Sequence, residues 1–417
     1  MASYDVLVAG GGPAGAAAAI TAGRLGAKTL LVERYGFLGG MATAGLVSPF
    51  MVSRSSSGET IMSPFFSEIV DRLRSRGAAL SGELFSQPHI AFDPEALKNV
   101  LLEMSLEAGV KLSLHSLVTG AILRGNRFSG VVIDGKSGQF RAFSDVSVDS
   151  TGDADLAWMA KAPFVAGREG DGLMQPATLN FRVAGIDPEK MPERDELDSL
   201  FRKAVESGAV SVKRDKLLWF ETTRPGELHF NVTRVTGVDG TSVSDLTRAE
   251  VVSRKQAEEV FAFLKAEVPG FESAYVSATG AQVGIRETRR IVGEYVLTGE
   301  DVTEGADFPD AIARCSYPVD IHDPKGKGTK FNPLTKPYSI PYRCLVPGKI
   351  EGLLVAGRSI SADHVAQSSL RVMPTCFMLG EAAGAAAAQV AKARTVPRKA
   401  DTARLVRQLR EMGANYL

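Results

Sequence analysis

Three glycines and one acid near the start of the chain carry the clearest chemistry. Gly10, Gly12 and Gly15 form a G-x-G-x-x-G run with Pro13 and Ala14 inside it, and Glu33 follows roughly 20 residues on. Gly10 allows a tight turn, Gly12 presents no Cβ to block a pyrophosphate, and Gly15 lets a helix pack close to a strand. Glu33 can accept hydrogen bonds from both hydroxyls of a ribose. Such a run also arises by chance in glycine-rich turns, so its setting decides. Tyr4–Ala9 reads as a buried strand before it, an alanine-rich helix follows, and Thr29–Val32 is a second strand ending at Glu33. The helix N-terminus then offers free N–H groups and partial positive charge to phosphates. The chemistry is dinucleotide binding.

Candidates for reaction chemistry lie much later. Arg286 sits in Gly284–Tyr295, a stretch rich in arginine and glutamate that reads as a strand. It either holds an anionic substrate group bidentately or serves an interdomain ion pair. His322 reads as a loop residue between Asp320 and Asp323, acids that would orient it and raise its pKa for proton transfer. A solvated loop histidine is the other reading, and Asp320 is a weaker candidate of the same kind. His364 is a second acid/base candidate, equally readable as a structural hydrogen-bonder. Asp153, after Ser150-Thr151-Gly152, either contacts a cofactor or caps the helix that follows.

These residues need a frame. At 417 residues, two domains are the natural expectation. Asp93-Pro94 is an N-cap with proline at the first helical position, and the helix runs to the glycine stop at Gly109. Val110–Val118 returns as a strand, and Ala121–Leu123, Gly130–Ile133 and Gln139–Phe143 read as an antiparallel meander. Ser63–Arg76 has helical spacing and is expected to cap the site. Lys216–Val235 holds strands around the turn Arg224-Pro225-Gly226, and Ser244–Val268 is a long amphipathic helix. No second G-x-G-x-x-G opens this region, so no separate nicotinamide domain is built. The tail from Lys392 is basic and reads as solvated.

Composition excludes several classes. With 48 basic and 48 acidic residues there is no field to steer nucleic acid or an anionic membrane. Cys315, Cys344 and Cys376 form no C-x-x-C, so neither a metal site nor a redox disulfide is indicated, and three buried thiols in a reducing compartment are expected. The apolar opening lacks a basic n-region and holds the nucleotide motif, so it is not read as a secretory signal. Tyr35–Ser53 is uncharged, but its glycines, proline and serines make it a packed loop and not a membrane span. A cytoplasmic location follows.

Past Glu33 the chain continues Arg34-Tyr35-Gly36-Phe37-Leu38-Gly39-Gly40-Met41-Ala42-Thr43. Here it resembles the glutathione-reductase-type FAD enzymes, in the branch of succinate dehydrogenase and fumarate reductase flavoproteins, and more narrowly the family called FAD-dependent oxidoreductase. In that branch a G-G pair after the ribose acid approaches the flavin and pyrophosphate, and Gly39 and Gly40 match it. The resemblance extends to Ser150-Thr151-Gly152, to Gly284–Val302, to the Tyr317–Asp323 element, and to Leu353–Thr375 with Gly357 and Arg358 at the end of a returning strand. It implies that Arg34, Met41, Ala42, Thr43, Thr151, Gly152, Gly357, Arg358, Arg371, Val372 and Met373 contact the cofactor. It also implies that the backbone of Val118 contacts adenine. The helix Pro374–Ala393 would point its N-terminus at the flavin. No histidine lies in 41–53, where that branch links its flavin covalently, so FAD is expected to be non-covalent.

The expected fold is α/β: a Rossmann-like FAD-binding domain, parallel sheet plus β-meander, with an inserted α+β substrate domain. The FAD-binding domain takes 1–174, with 54–90 as a candidate cap, and returns at 273–302 and 338–417. The substrate domain takes 175–272, extended by 303–337. The implied function is hydride transfer between a C–OH or C–N bond of a small polar metabolite and flavin N5. Reduction of an activated double bond is the alternative, and a non-catalytic flavin-binding sensor or assembly protein is the alternative of another class. The electron acceptor, the substrate and any homo-oligomeric state are not written in the sequence.

Overall fold

In the computed structural model, which describes residues 2–56, 58–84 and 87–417, the glycine-rich turn follows the C-terminal end of a central strand of a seven-stranded sheet. The first strand, Ala2–Ala9, pairs in parallel with Thr29–Val32 on one side and with Gly138–Asp149 on the other. Its side chains alternate between two cores. Val6 and Val8 enter the main hydrophobic cluster, while Leu7 and Ala9 face a smaller one behind the sheet. A strand buried on both faces needs the continuous apolar run seen here.

The strand Gly138–Asp149 joins the two parts of the sheet. Its first half pairs antiparallel with Arg127–Gly135, which in turn pairs with Leu117–Arg124, giving the meander. Its last residues pair in parallel with the returning strand Leu353–Val355. The sequence divides this strand in two because its partner changes midway. Conversely, the continuous strand expected at 110–118 is broken: Lys111–Ser113 joins the parallel sheet, His115 has φ +52°, and Leu117 opens the meander.

The first helix, Pro13–Arg24, lies against Met373–Lys392. Gly380 and Gly384, one turn apart, make this contact close: a Cβ on either would stand 2.0 Å from the carbonyl oxygen of Ala14 or 2.2 Å from that of Ala18. The helix Pro64–Arg74 is N-capped by Ser63 and sends Phe65, Phe66 and Ile69 into the main core, where Phe66 stacks on Phe377 at 5.5 Å. It is a core helix and not the cap expected of it. Residues 57, 85 and 86 of the candidate cap 54–90 lie outside the described residues.

A second cluster gathers Phe181, Phe201, Phe230, Val260 and Leu264 around the four-stranded sheet of Trp219–Glu221, Leu228–Phe230, Phe181–Ala184 and Tyr275–Thr279. The helices Arg194–Glu206 and Val243–Glu267 cover it. Residues expected to extend this unit behave differently. Ile312, Ala313, Cys315, Tyr317 and Val319 enter the main core, because Ala311–Cys315 pairs with Tyr338–Pro341. The tail also departs from expectation: Asp401 caps a helix Thr402–Glu411 whose Leu405, Val406 and Leu409 are buried. No helix among the described residues is long and apolar enough to cross a membrane.

Candidate active site

The G-x-G-x-x-G turn is tied to Glu33 directly. Gly10 has φ +91°, and a Cβ there would meet the carbonyl oxygen of Ser150 at 2.5 Å. The Gly11 N–H donates to Oε2 of Glu33 at 2.6 Å, and Tyr35 N–H donates to Oε1 at 2.9 Å. Gly12 is the N-cap of the first helix, with no side chain capping it and Pro13 following. A Cβ on Gly12 would meet only Gly40 Cα, at 3.8 Å, so this position is open. Gly15 instead packs: a Cβ there would stand 1.8 Å from the Gly10 carbonyl oxygen.

The second glycine pair lies on this turn. Gly39 N–H donates to the Gly11 carbonyl at 2.8 Å, and Gly40, at φ +50°, would place a Cβ 2.7 Å from Gly12 Cα. Two helices of the frame start without a side-chain cap, the first being Pro13–Arg24. The second is Met373–Lys392, whose N-cap is Val372.

One cavity of about 820 Å³ joins these features. Gly10, Gly12, Pro13, Ala14, Glu33, Arg34, Gly40 and Met41 line one end. Thr151, Gly152, Asp153, Gly357, Arg358, Arg371, Val372 and Met373 line it further along, and Arg286 and His322 stand with them. The volume is at the upper end for a ligand pocket. An open glycine, an uncapped helix N-terminus and a lining carboxylate form the donor and acceptor set that a dinucleotide requires, so these residues fit one.

Not every expected residue reaches the cavity. Gly39, Ala42 and Thr43 lie behind its wall: Ala42 is in the main core, and Thr43 Oγ1 donates back to the Leu38 carbonyl at 2.8 Å. Val118 is in the meander, paired with Ile133, and does not line the cavity. His364 is also outside. Its Nδ1 lies 2.9 Å from Oε1 of Glu287, a buried carboxylate that also receives Arg290. Asp153 does not cap the helix Asp155–Met159, whose N-cap is Ala154. Its Oδ1 accepts from Arg358 and from Thr288 Oγ1, each at 2.7 Å.

His322 is not in a loop. It ends the strand Val319–His322, which pairs with Thr329–Asn332 in a hairpin that the glycine-rich stretch closes. Its Nδ1 faces Thr329 Oγ1 at 3.2 Å and Arg214 Nη2 at 3.4 Å, and its Nε2 is 3.6 Å from Asp320. Burial, then the charges of Arg286 and Arg214, push the imidazole down to about 3, against the opposing pull of Asp320. The ring is therefore neutral near pH 7, and the neighbouring carboxylate favours hydrogen on Nε2. The flanking acids were expected to raise its pKa, but the two arginines and burial outweigh them. Burial also opposes the charge on Asp320, yet His322, Arg371 and Arg286 together hold its carboxyl well below the usual range. Cys376 lines the cavity with its thiol pushed up to about 12 by burial.

Arg214, Thr329, Asn231, Tyr317 and Phe331 also line this cavity, though the sequence does not single them out as candidates. Arg214 stands in the charged run 213–216, yet it alone of the four is buried. Nothing in residue type separates it from its neighbours.

The family model described as FAD dependent oxidoreductase matches residues 5–410. The chain belongs to that family. FAD is thus the dinucleotide, and the protein is a flavoenzyme with a Rossmann-like fold. No curated protein matches the sequence. Among solved structures, it is similar to a geranylgeranyl bacteriochlorophyll reductase-like protein from Thermoplasma acidophilum, at 12% identity and TM-score 0.48, covering 99% of this chain and 83% of that one. It is also similar to p-nitrophenol 4-monooxygenase from Pseudomonas putida, at 12% identity and TM-score 0.47, covering 99% and 82%. A myxobacterial chondrochloren halogenase gives 13% identity and TM-score 0.48, covering 99% and 79%. These likenesses are too distant to bear on the chemistry.

Proposed function

We propose that the flavoenzyme oxidises a C–OH or C–N bond of a small polar metabolite. One observation carries the reading: the cavity that begins at Gly12 and Glu33 runs without a break to Arg286 and His322. When bound, FAD supplies a hydride acceptor at N5. The residues of this chain do the rest. Gly12 and the first helix N-terminus would hold the pyrophosphate and Glu33 the ribose, while Val372 and Met373 bring the uncapped start of the helix Met373–Lys392, with its partial positive charge, to the same cavity.

His322 is the proton acceptor of this scheme. Asp320 favours hydrogen on Nε2, so Nδ1 is the acceptor atom, and it takes a proton from the substrate hydroxyl or amine once the substrate displaces its contacts to Thr329 and Arg214. Arg358 and Thr288 hold Asp153 at the cavity wall, where it serves as a cofactor contact. The close seat of Gly39 and Gly40 on the first turn supports a place near the succinate dehydrogenase and fumarate reductase branch. The absence of histidine in 41–53 supports non-covalent FAD. The second hydrophobic cluster supports a substrate domain at 175–272, with the FAD-binding domain on either side. The free thiols of Cys315, Cys344 and Cys376 support a cytoplasmic location.

The test is anaerobic mixing of the purified yellow protein with candidate alcohols and amines, following flavin absorbance. Bleaching by one of them is the expected result, and the rate of recolouring in air then separates oxidase from dehydrogenase. A colourless protein that refuses added FAD ends the reading. A yellow protein that no candidate bleaches favours a sensor or assembly role.

A further inference from the structure

Two guanidinium groups in the cavity wall have no acidic partner. Arg286 is held by neutral oxygens: Nη1 donates to the Pro176 carbonyl and to Thr178 Oγ1, both at 2.7 Å, and Nη2 to Asn231 Oδ1 at 3.3 Å. Arg214 donates to the Asn231 carbonyl at 2.8 Å and faces His322 Nδ1 at 3.4 Å, while its buried Nε has no partner. The carboxylate at this end, Asp320, is 3.3 Å from a third arginine, Arg371. Among the described residues neither Arg214 nor Arg286 makes an ion pair.

Two like charges withdrawn from water side by side are unfavourable unless an anion joins them. Burial, then the charges of Arg371 and Arg214, push the Arg286 guanidinium well below its ordinary value, against the pull of Asp320. The arginines reach the same cavity as the aromatic rings of Tyr317, Phe220 and Phe331. That combination suits an organic acid. A planar guanidinium fork matches a carboxylate, and the rings take its carbon skeleton.

We infer that this end of the cavity is a carboxylate subsite, in which Arg286 and Arg214 hold the anionic group of the substrate. The inference deepens the reading given under Proposed function and rests on it for the neighbouring flavin. It narrows the substrate to a hydroxy or amino acid, or a related small organic acid, with the bond to be oxidised carried beside His322.

The test uses the oxidised, FAD-loaded protein, titrated with propionate, benzoate and succinate. Propionamide and benzamide serve as uncharged counterparts, and inorganic phosphate as the rival anion. Calorimetric heat and perturbation of the flavin spectrum are the readouts. At least one acid is expected to bind 10-fold or more tightly than its amide and than phosphate. Arg286→Gln and Arg214→Gln are each expected to weaken it by about 30-fold or more, the scale for removing one partner of an enclosed charge pair. The unliganded variants should melt no lower than the parent, since each loses an unpartnered charge. Acids that bind no better than amides, phosphate that binds best, or parental affinity in both variants would overturn the subsite. Should a variant lose its flavin, the acid-against-amide comparison on the parent enzyme decides alone. A protein that is colourless before any titration marks failure of the flavin reading and not of the subsite.

Discussion

The backbone N–H of Gly11 donates to Oε2 of Glu33 at 2.6 Å, so the two ends of the nucleotide motif touch across 22 residues. Oε1 accepts from the Tyr35 N–H at 2.9 Å. A carboxylate offers about four lone-pair sites, so acceptor capacity remains for a ribose after both backbone donors are served. Glu33→Ala strands two N–H groups and removes the sugar contact. FAD affinity, read by quenching of flavin fluorescence on titration, should fall about 10-fold or more, in line with roughly 1–3 kcal/mol for an unsatisfied buried donor. Unchanged affinity would mean that Glu33 makes no contact with the sugar.

Gly12 and Gly15 should fail in different ways. A Cβ on Gly12 meets nothing nearer than 3.8 Å, so Gly12→Ala is expected to fold with the parent's thermal midpoint and lose FAD. A Cβ on Gly15 stands 1.8 Å from a backbone oxygen, and Gly15→Ala must push the helix from the strand. Overpacking of this kind costs about 1–3 kcal/mol or more, visible as a lowered midpoint of the FAD-free protein. Equal midpoints for the two variants would contradict the division of roles.

The two histidines separate by assay. His322→Gln is expected to slow anaerobic flavin reduction by about 10²-fold or more, the usual contribution of a positioned proton acceptor. His364→Gln removes a 2.9 Å contact to the buried Glu287 and should instead cost stability, roughly 1–3 kcal/mol by denaturant unfolding, with the reduction rate retained. The opposite pattern would exchange their roles.

His229 is the middle residue of the strand Leu228–Phe230, with neither ring nitrogen partnered, and burial, then Arg182, pushes it down to about 3. From about pH 6.5 downwards the unfolded chain takes up a proton that the folded chain refuses, so this residue makes stability fall as pH drops. Asp149 and Glu381 act oppositely, raised by burial to about 6 and about 7, because the folded chain then holds protons that the unfolded chain has lost. A difference measurement isolates the histidine. Between pH 7 and 4, His229→Phe should lose less stability than the parent, and parallel curves would count against this assignment.

Filling the carboxylate subsite should draw a proton onto His322. Burial, then Arg286 and Arg214, hold its pKa down while Asp320 raises it, and an anion against the arginines cancels their share of the push. Calorimetric titration at pH 6 in buffers of different ionisation heat should show net proton uptake, absent at pH 8 and absent in His322→Gln.

Much of the frame was legible because its signals are local. The strand Thr29–Val32, the helix started by Asp93-Pro94 and the hairpin around Arg224-Pro225-Gly226 each follow from a few adjacent residues whose caps, turns and apolar spacing agree. The failures have another origin. The sequence pattern splits Gly138–Asp149 because its neighbours change along its length, and it puts His322 in a loop because a glycine- and lysine-rich turn looks alike whether or not its flanks pair.

What the sequence determined by itself was the cofactor end, since positive φ at Gly10, the open face of Gly12 and the reach of Glu33 are all settled within one strand–helix–strand unit. At the other end the sequence offered Arg286 and His322 as candidates, and the tertiary structure decided what surrounds them. Arg214, Arg286 and His322 come from separate segments, and whether an arginine meets water, a carboxylate or another arginine depends on which surfaces pack together. Burial removes the solvent that would otherwise screen them, so only the assembled fold turns three ordinary side chains into a site with charge to spare.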